Sequence, residues 1–209
     1  MTINGSNHWR FSVYGFLQGS PGGSVADALL QLSKFAVRAV TWDTSKPAAA
    51  KLKKAGEKVL STDPGNKNNL PVALTGNSGA FVVTNFWEHF SKEKEVAQGK
   101  VIADQCKRLG LRHVIYSGLE DVKKMMGGKL EVLHFDGKVK VEEYFRAIYC
   151  PMTSVSHSFC FENLLTNYKP QNSKDGKIYE LGKTSGKFIV RVRYVIPAVW
   201  IPAVRRPTP

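Results

Sequence analysis

Short continuous apolar runs alternate with segments of helical periodicity through the first three-quarters of this chain. Residues 9–14, 35–41 (Phe-Ala-Val-Arg-Ala-Val-Thr), 57–60, 80–84 (Ala-Phe-Val-Val-Thr), 113–117 and 152–155 read as strands. They are mostly apolar on successive positions, as strands covered on both faces should be. Between them, residues 22–30, 46–55, 91–109 and 138–148 read as helices. The span 91–109 is the clearest. Ser91 can cap it, Glu93 and Glu95 suit its positive end, and Lys107 and Arg108 suit its negative end. Val96, Ile102, Ala103, Cys106 and Leu109 form its apolar stripe, and Gly110 stops it. Residues 66–70 and 170–176 read as polar connections. Strands alternating with helices predict an α/β fold built on a doubly wound parallel sheet with right-handed crossovers.

The exit of the first strand sharpens that picture. Gly15, Gly19, Gly22 and Gly23, with Gln18 among them, lie between the apolar run 9–14 and the amphipathic run 22–30. Strand, glycine-rich turn and helix are the parts of a Rossmann-type dinucleotide-binding unit. Glycines are needed there because side chains would keep a pyrophosphate from the backbone N–H groups at the helix N-terminus. The spacing departs from the usual pattern. Gly15 to Gly19 is G-x-x-x-G, one residue longer than usual, and Pro21 removes one N–H.

The chain has 209 residues, enough for one good core and part of a second. Its 30 Lys and Arg against 17 acids give a net charge of +13, which favours anionic partners such as nucleotides. No basic run interleaved with aromatics and no zinc-finger spacing is present, which argues against direct sequence-specific reading of nucleic acid. Cys106, Cys150 and Cys160 are odd in number and lack metal-ligand spacing, so neither disulfides nor a metal is expected. With no signal-peptide pattern and a C-terminal apolar run broken by Arg191, Arg193, Pro197 and Pro202, no membrane role is expected.

Several consecutive strings resemble one family. Gly-Gly-Ser-Val-Ala (22–26), Phe-Val-Val-Thr-Asn-Phe-Trp-Glu (81–88) and Arg-Leu-Gly-Leu-Arg-His-Val-Ile-Tyr-Ser-Gly-Leu-Glu (108–120) are similar to the NmrA-like proteins. These proteins belong to the atypical short-chain dehydrogenase superfamily. His-Phe-Asp-Gly-Lys (134–138), Val-Glu-Glu-Tyr-Phe-Arg (141–146), Pro-Met-Thr-Ser-Val (151–155) and Phe-Glu-Asn (161–163) extend the resemblance. It runs from about Phe11 to Gly182. It implies a Rossmann-type domain over residues 9–152, a remnant of a smaller C-terminal domain over 153–182, and a divergent basic, apolar tail over 183–209. On that reading the chain is a C-terminally truncated paralogue.

The resemblance also implies a site for NADP(H). Gly15, Gln18, Gly19, Gly22 and Gly23 would face the pyrophosphate, Asp63 the adenine, Thr84 and Asn85 the nicotinamide ribose, and Lys138 the nicotinamide side. Phe161 and Asn163 would close over the cofactor. Trp42 stands where the family has an arginine for the 2′-phosphate, leaving Lys46 as the nearby basic residue. Weak or lost cofactor binding follows from that exchange.

A reductase of this superfamily needs a tyrosine and a lysine four residues later on one helix face. Only Tyr179 and Lys183 have that spacing, in a stretch that reads as strand and turn. Tyr116 and Tyr144 have no lysine four residues on. His134 beside Asp136 reads as a capping contact ahead of the Lys138 helix, and Phe86 with Trp87 as packing or a dimer contact. Without that Tyr/Lys pair a non-catalytic protein is expected, and the resemblance implies a redox-sensing regulator, cytoplasmic and nuclear. It would act through protein partners, a second copy of the chain included, in transcriptional control. A cofactor-free interaction protein and an NADPH-dependent reductase remain as alternatives.

Overall fold

The computed structural model describes residues 9–14, 21–32, 34–41, 43–45, 47–54, 56–62, 69–157, 171–172 and 179–180. The chain divides into two units, residues 1–156 and 157–209. Within the second, β7 (Gln171–Asn172) pairs antiparallel with β8 (Tyr179–Glu180).

The first unit runs β1 (Trp9–Tyr14), α1 (Pro21–Leu30), β2 (Phe35–Thr41), α2 (Pro47–Lys54), β3 (Lys58–Ser61), α3 (Leu70–Leu74) and β4 (Gly79–Val82). A single 3-10 turn (Phe86–Glu88) follows, then α4 (Lys92–Arg108), β5 (His113–Gly118), α5 (Val122–Met125), α6 (Leu133–Ala147) and β6 (Met152–Ser156). All six strands pair in parallel, in the order β3-β2-β1-β4-β5-β6. The order reverses between β1 and β4, which makes that junction the topological switch point. The doubly wound α/β expectation holds.

Each strand sends alternate side chains to opposite faces, and the core divides accordingly. Ala80, Val82, Val114 and Tyr116 pack with Leu70, Ile102, Ala103, Cys106, Val141 and Phe145 from α3, α4 and α6. Phe11, Val13, Val37, Ala39 and Phe81 pack on the other face with Ala26 and Leu52 from α1 and α2. Both faces are covered, as the continuous apolar runs required.

Three local differences from the sequence expectation bear on the site. Helix α1 starts one residue ahead of the expected run, at Pro21; proline is preorganised for that first helical position and has no N–H to waste there. The polar connection expected at residues 66–70 runs into α3 at Leu70, whose residues Leu70, Ala73 and Leu74 are buried. The helix expected from Lys138 starts five residues earlier, at Leu133. His134 and Asp136 therefore lie inside it, and Val132 at its N-cap position makes no side-chain cap. The capping role expected of that pair is not what the structure builds.

Candidate functional site

The carboxyl end of β4 carries the densest buried polar cluster among the described residues. Thr84, two residues past the strand, is buried, as are Glu95 on the first turns of α4 and Tyr116 on β5. Lys138, from the second turn of α6, reaches in from the side with a side chain only 12% exposed. Its Nζ donates to the Thr84 carbonyl oxygen at 2.8 Å and to Thr84 Oγ1 at 3.1 Å. The same Nζ pairs with Glu95 Oε1 at 3.3 Å, so its three protons have three acceptors. Thr84 Oγ1 donates its single proton to Glu95 Oε1 at 2.8 Å. It must therefore accept in its contact with Tyr116, 3.1 Å away, and the phenol is the donor there. The Lys138 ammonium also lies 5.8 Å from the centre of the Tyr116 ring, within cation–π range.

Burial dominates the electrostatics. It pulls the Lys138 ammonium below the usual lysine range, opposed by the Glu95 charge and hydrogen bond. Burial also pushes the Tyr116 phenol far above its usual value, so the ring stays neutral; the Thr84 contact opposes that rise. His134, one turn before Lys138, is held below the ordinary histidine value by burial and by the Lys138 charge, against Glu95 and Asp136. Its ring packs 5.0 Å from Trp87 and 5.8 Å from Phe86. Phe86 and Trp87 meet edge to face at 5.4 Å; Phe86 is buried, whereas Trp87 and Phe90 stand exposed. Asn85 starts this turn, its Oδ1 accepting from the Trp87 N–H at 3.2 Å.

Two glycines bring the parts together. A Cβ on Gly137 would lie 2.5 Å from Glu95 Oε2, and one on Gly99 would lie 2.3 Å from Val141 Cγ2. Both contacts step forward by four residues on α4 and on α6, so the helices run in the same direction and close together. Glu95, Gly99, Ile102, Ala103 and Cys106 make one buried stripe along α4.

Of the expected cofactor residues, Thr84, Asn85 and Lys138 come together at the end of β4. Gly22 and Gly23 stand at the start of α1, Gly22 buried. Gly15, Gln18, Gly19, Lys46, Asp63, Phe161 and Asn163 lie outside the described residues, as do Trp42, Cys160 and Lys183. Tyr179 lies in β8. Glu95 and Tyr116 belong to the cluster and were missed. Glu95 reads as a solvent-facing acid of a helix start, yet it falls on the i, i+4, i+7, i+8 spacing of the α4 stripe, which was the available signal. Tyr116 was set aside for want of a lysine four residues on; in the fold it meets Lys138, from another element, around Thr84.

A parallel sheet in this order, with a glycine-opened helix after β1 and polar groups gathered past β4, defines a Rossmann-type α/β domain. More specifically, the chain belongs to the NmrA-like family, whose signature matches residues 18–192. It is 32% identical over 153 residues to an NmrA-like family domain-containing oxidoreductase of Cladobotryum sp., covering 70% of this chain and 46% of that protein. A second such oxidoreductase, from Aspergillus campestris, is 33% identical over 174 residues, covering 78% and 51%. A shorter match of 60% identity over 47 residues is to NmrA-like family domain-containing protein 1 of Rattus norvegicus, covering 22% of this chain and 28% of that one. The chain spans about half the length of the oxidoreductase relatives. Among solved structures, it is similar to NmrA, a negative transcriptional regulator, with a TM-score of 0.68 at 22% identity, covering 83% of this chain and 54% of that one. It is also similar to the Citrobacter sp. triphenylmethane reductase complexed with NADP(H), with a TM-score of 0.61 at 16% identity, covering 76% and 51%.

These relatives correct the expectation that the protein is not an enzyme. Several family members at about 32% identity are named oxidoreductases. The expectation rested on the missing Tyr-x-x-x-Lys spacing. The structure does bring Lys138 and Tyr116 together from different elements, a juxtaposition that no local spacing displays. No helix among the described residues is long and apolar enough to cross a membrane.

Proposed function

We propose that the chain is the nucleotide-binding part of an NADP(H)-linked oxidoreductase, with Lys138 as its proton-donating group. One observation carries this: a lysine ammonium is held in a mostly buried position at the end of β4, beside the switch point where such sheets take their ligands. The residues there fit the cofactor. The Gly22 and Gly23 N–H groups in the first turn of α1 have no partner within the helix and suit a pyrophosphate. Asn85 suits the nicotinamide ribose, with the buried Thr84 beneath it, and Lys138 suits the nicotinamide side. When bound, NADPH supplies a hydride. The chain supplies the proton: burial makes the Lys138 ammonium a readier acid than a lysine in water, and a substrate oxygen that displaces one of its three acceptors would take that proton.

Preference for NADPH over NADH is expected to be slight. Trp42 replaces the 2′-phosphate arginine, and the arginine within β2 is already committed. Arg38 Nη1 donates to the carbonyls of Ala73 at 3.0 Å and Thr75 at 2.8 Å, tying β2 to the end of α3. Loss of one charge-assisted phosphate contact is worth about 1.5–3 kcal/mol, or roughly one to two decades of affinity.

A second reading, a redox-responsive regulator acting on protein partners, is favoured by the exposed Trp87 and Phe90 beside the same site, where cofactor occupancy could bias what a partner meets. Titration with NADPH and NADH by nicotinamide fluorescence, followed by NADPH oxidation across a carbonyl and quinone panel, tests the first reading. Saturable binding is expected, with oxidation reduced at least about a hundredfold in Lys138→Met. Absence of both binding and oxidation in the folded chain overturns it.

A further inference from the structure

We propose that Glu95 is the positioning residue for Lys138, and that Gly137 is there to admit its carboxylate. The inference rests on the reading of Lys138 as the proton-donating group. Glu95 is wholly inaccessible to solvent, unlike a first-turn acid that merely complements a helix dipole. One oxygen, Oε1, binds both Thr84 Oγ1 and Lys138 Nζ, fixing the ammonium against the carboxyl end of β4. The other, Oε2, has no hydrogen-bond partner. Burying a carboxylate oxygen unsatisfied is costly, and what this carboxylate gains in return is its place opposite the ammonium.

The cavity for it is made by the residue next to Lys138 itself. A methyl group on Gly137 would stand 2.5 Å from Glu95 Oε2, so any side chain there would displace the carboxylate. The Gly-Lys pair at 137–138 thus provides both the cation and the room for its counter-charge. Gly99 against Val141, one turn further along, sets the same close approach of α4 and α6 but touches neither charge.

The groups facing Lys138 are Glu95 from α4, Tyr116 from β5, Thr84 past β4, and His134 on its own helix. His134 is neutral well below the range in which lysine titrates, and Tyr116 holds its proton above it. Glu95 is therefore the one charged neighbour among them whose removal should move the Lys138 titration.

That titration can be followed by NMR of 13C-labelled lysine, the Lys138 resonance being identified by its loss in Lys138→Arg. Glu95→Gln keeps the shape and an acceptor for Thr84 but removes the charge. It should lower the Lys138 midpoint by about 1–3 pH units, the usual effect of one close opposite charge. Gly137→Ala should lower it too, by displacing the carboxylate. Gly99→Ala should reduce stability and leave the midpoint in place, which a purely structural role for Glu95 would predict for every variant. Glu95→Asp keeps the charge at shorter reach and should give a partial shift, so the question stays decidable if Glu95→Gln does not fold. A parent-like midpoint in folded Glu95→Gln, or in Glu95→Asp if only that variant folds, overturns the proposal. NADPH oxidation by the same proteins separates the two ideas. A shifted midpoint without oxidation in the parent sustains the Glu95 inference and removes the oxidoreductase reading.

Discussion

Lys138 and Lys140 stand two residues apart on α6 and live in opposite surroundings. Lys138 points into the sheet end, meets Thr84 and Glu95, and has its proton affinity lowered by burial. Lys140 lies on the solvent side, 2.8 Å from Glu143 three residues on, and that contact raises its proton affinity. The same side chain on one helix is a constrained acid on one face and a solubilising charge on the other. What separates them is about 200° of helix rotation, two residues at 3.6 per turn. Lys92 repeats the outer arrangement with Glu131 at 3.0 Å.

The hardest test of that contrast removes the inner counter-charge. Glu95→Leu leaves the Lys138 ammonium buried without its partner and should cost about 3–5 kcal/mol of stability by urea denaturation. Adding Lys138→Met should restore most of the loss, since an apolar pair of similar volume often replaces a buried ion pair at little cost. If the double variant is as unstable as the single one, the cluster is held by something other than its charges.

A second test addresses the glycines. Gly99→Ala places a Cβ 2.3 Å from Val141 Cγ2, so the valine or the helices must shift. Overpacking of this kind typically costs about 1–3 kcal/mol. Combining it with Val141→Ala should cost no more than the cavity left by that truncation alone, because the clash is gone. A stable Gly99→Ala would mean that α4 and α6 can separate, and that the inner face of α6 is less constrained than its geometry implies.

Most of the frame of this site was legible in the chain. Buried parallel strands reveal themselves as unbroken apolar runs, so residues 35–41 and 80–84 identify β2 and β4, and the Ser91 cap is found where expected, its Oγ accepting from the Lys94 N–H at 3.2 Å. Two kinds of feature stayed hidden. Short elements carry too little periodicity: α3 has five residues, opens with Leu-Pro, and follows a polar stretch. Partnerships across elements leave no local spacing, so Tyr116 and Lys138 look unrelated until β5 and α6 are packed. Glu95 was hidden for a third reason, since an acid in a first helical turn has a sufficient local explanation. Its place on the apolar stripe of α4 was the stronger clue.

The pH dependence of stability should have opposite signs on the two faces. Lys138 has a folded proton affinity below that of the unfolded chain, whose lysines titrate at about 10.5. Between its depressed value and that point the unfolded state holds more protons, so stability rises with pH, by at most about 1.4 kcal/mol per unit. Cys106 and Tyr116, both pushed up by burial, act the other way, because the folded state keeps protons that the unfolded thiol and phenol release. The parent and Lys138→Met share those losses, so their difference across alkaline pH isolates the lysine. Parallel curves for the two proteins would show that Lys138 is not desolvated.

On the outer face the expected effect is smallest and the control most informative. Lys140→Met removes an exposed i, i+3 contact whose two side chains are 62% and 55% exposed. Such pairs contribute no more than about 0.5 kcal/mol, because water screens them and two long side chains must be ordered to make them. The raised proton affinity of Lys140 gives a contribution that is present below the unfolded lysine value and lost as pH climbs through the folded one. Its sign is therefore opposite to that of Lys138, and its size is near the limit of denaturation measurements. Substituting Lys140 should leave both NADPH titration and the Lys138 resonance unchanged. A Lys140→Met variant that shifts the Lys138 midpoint as far as Glu95→Gln does would mean that long-range charge, rather than the single carboxylate against Gly137, governs the inner lysine.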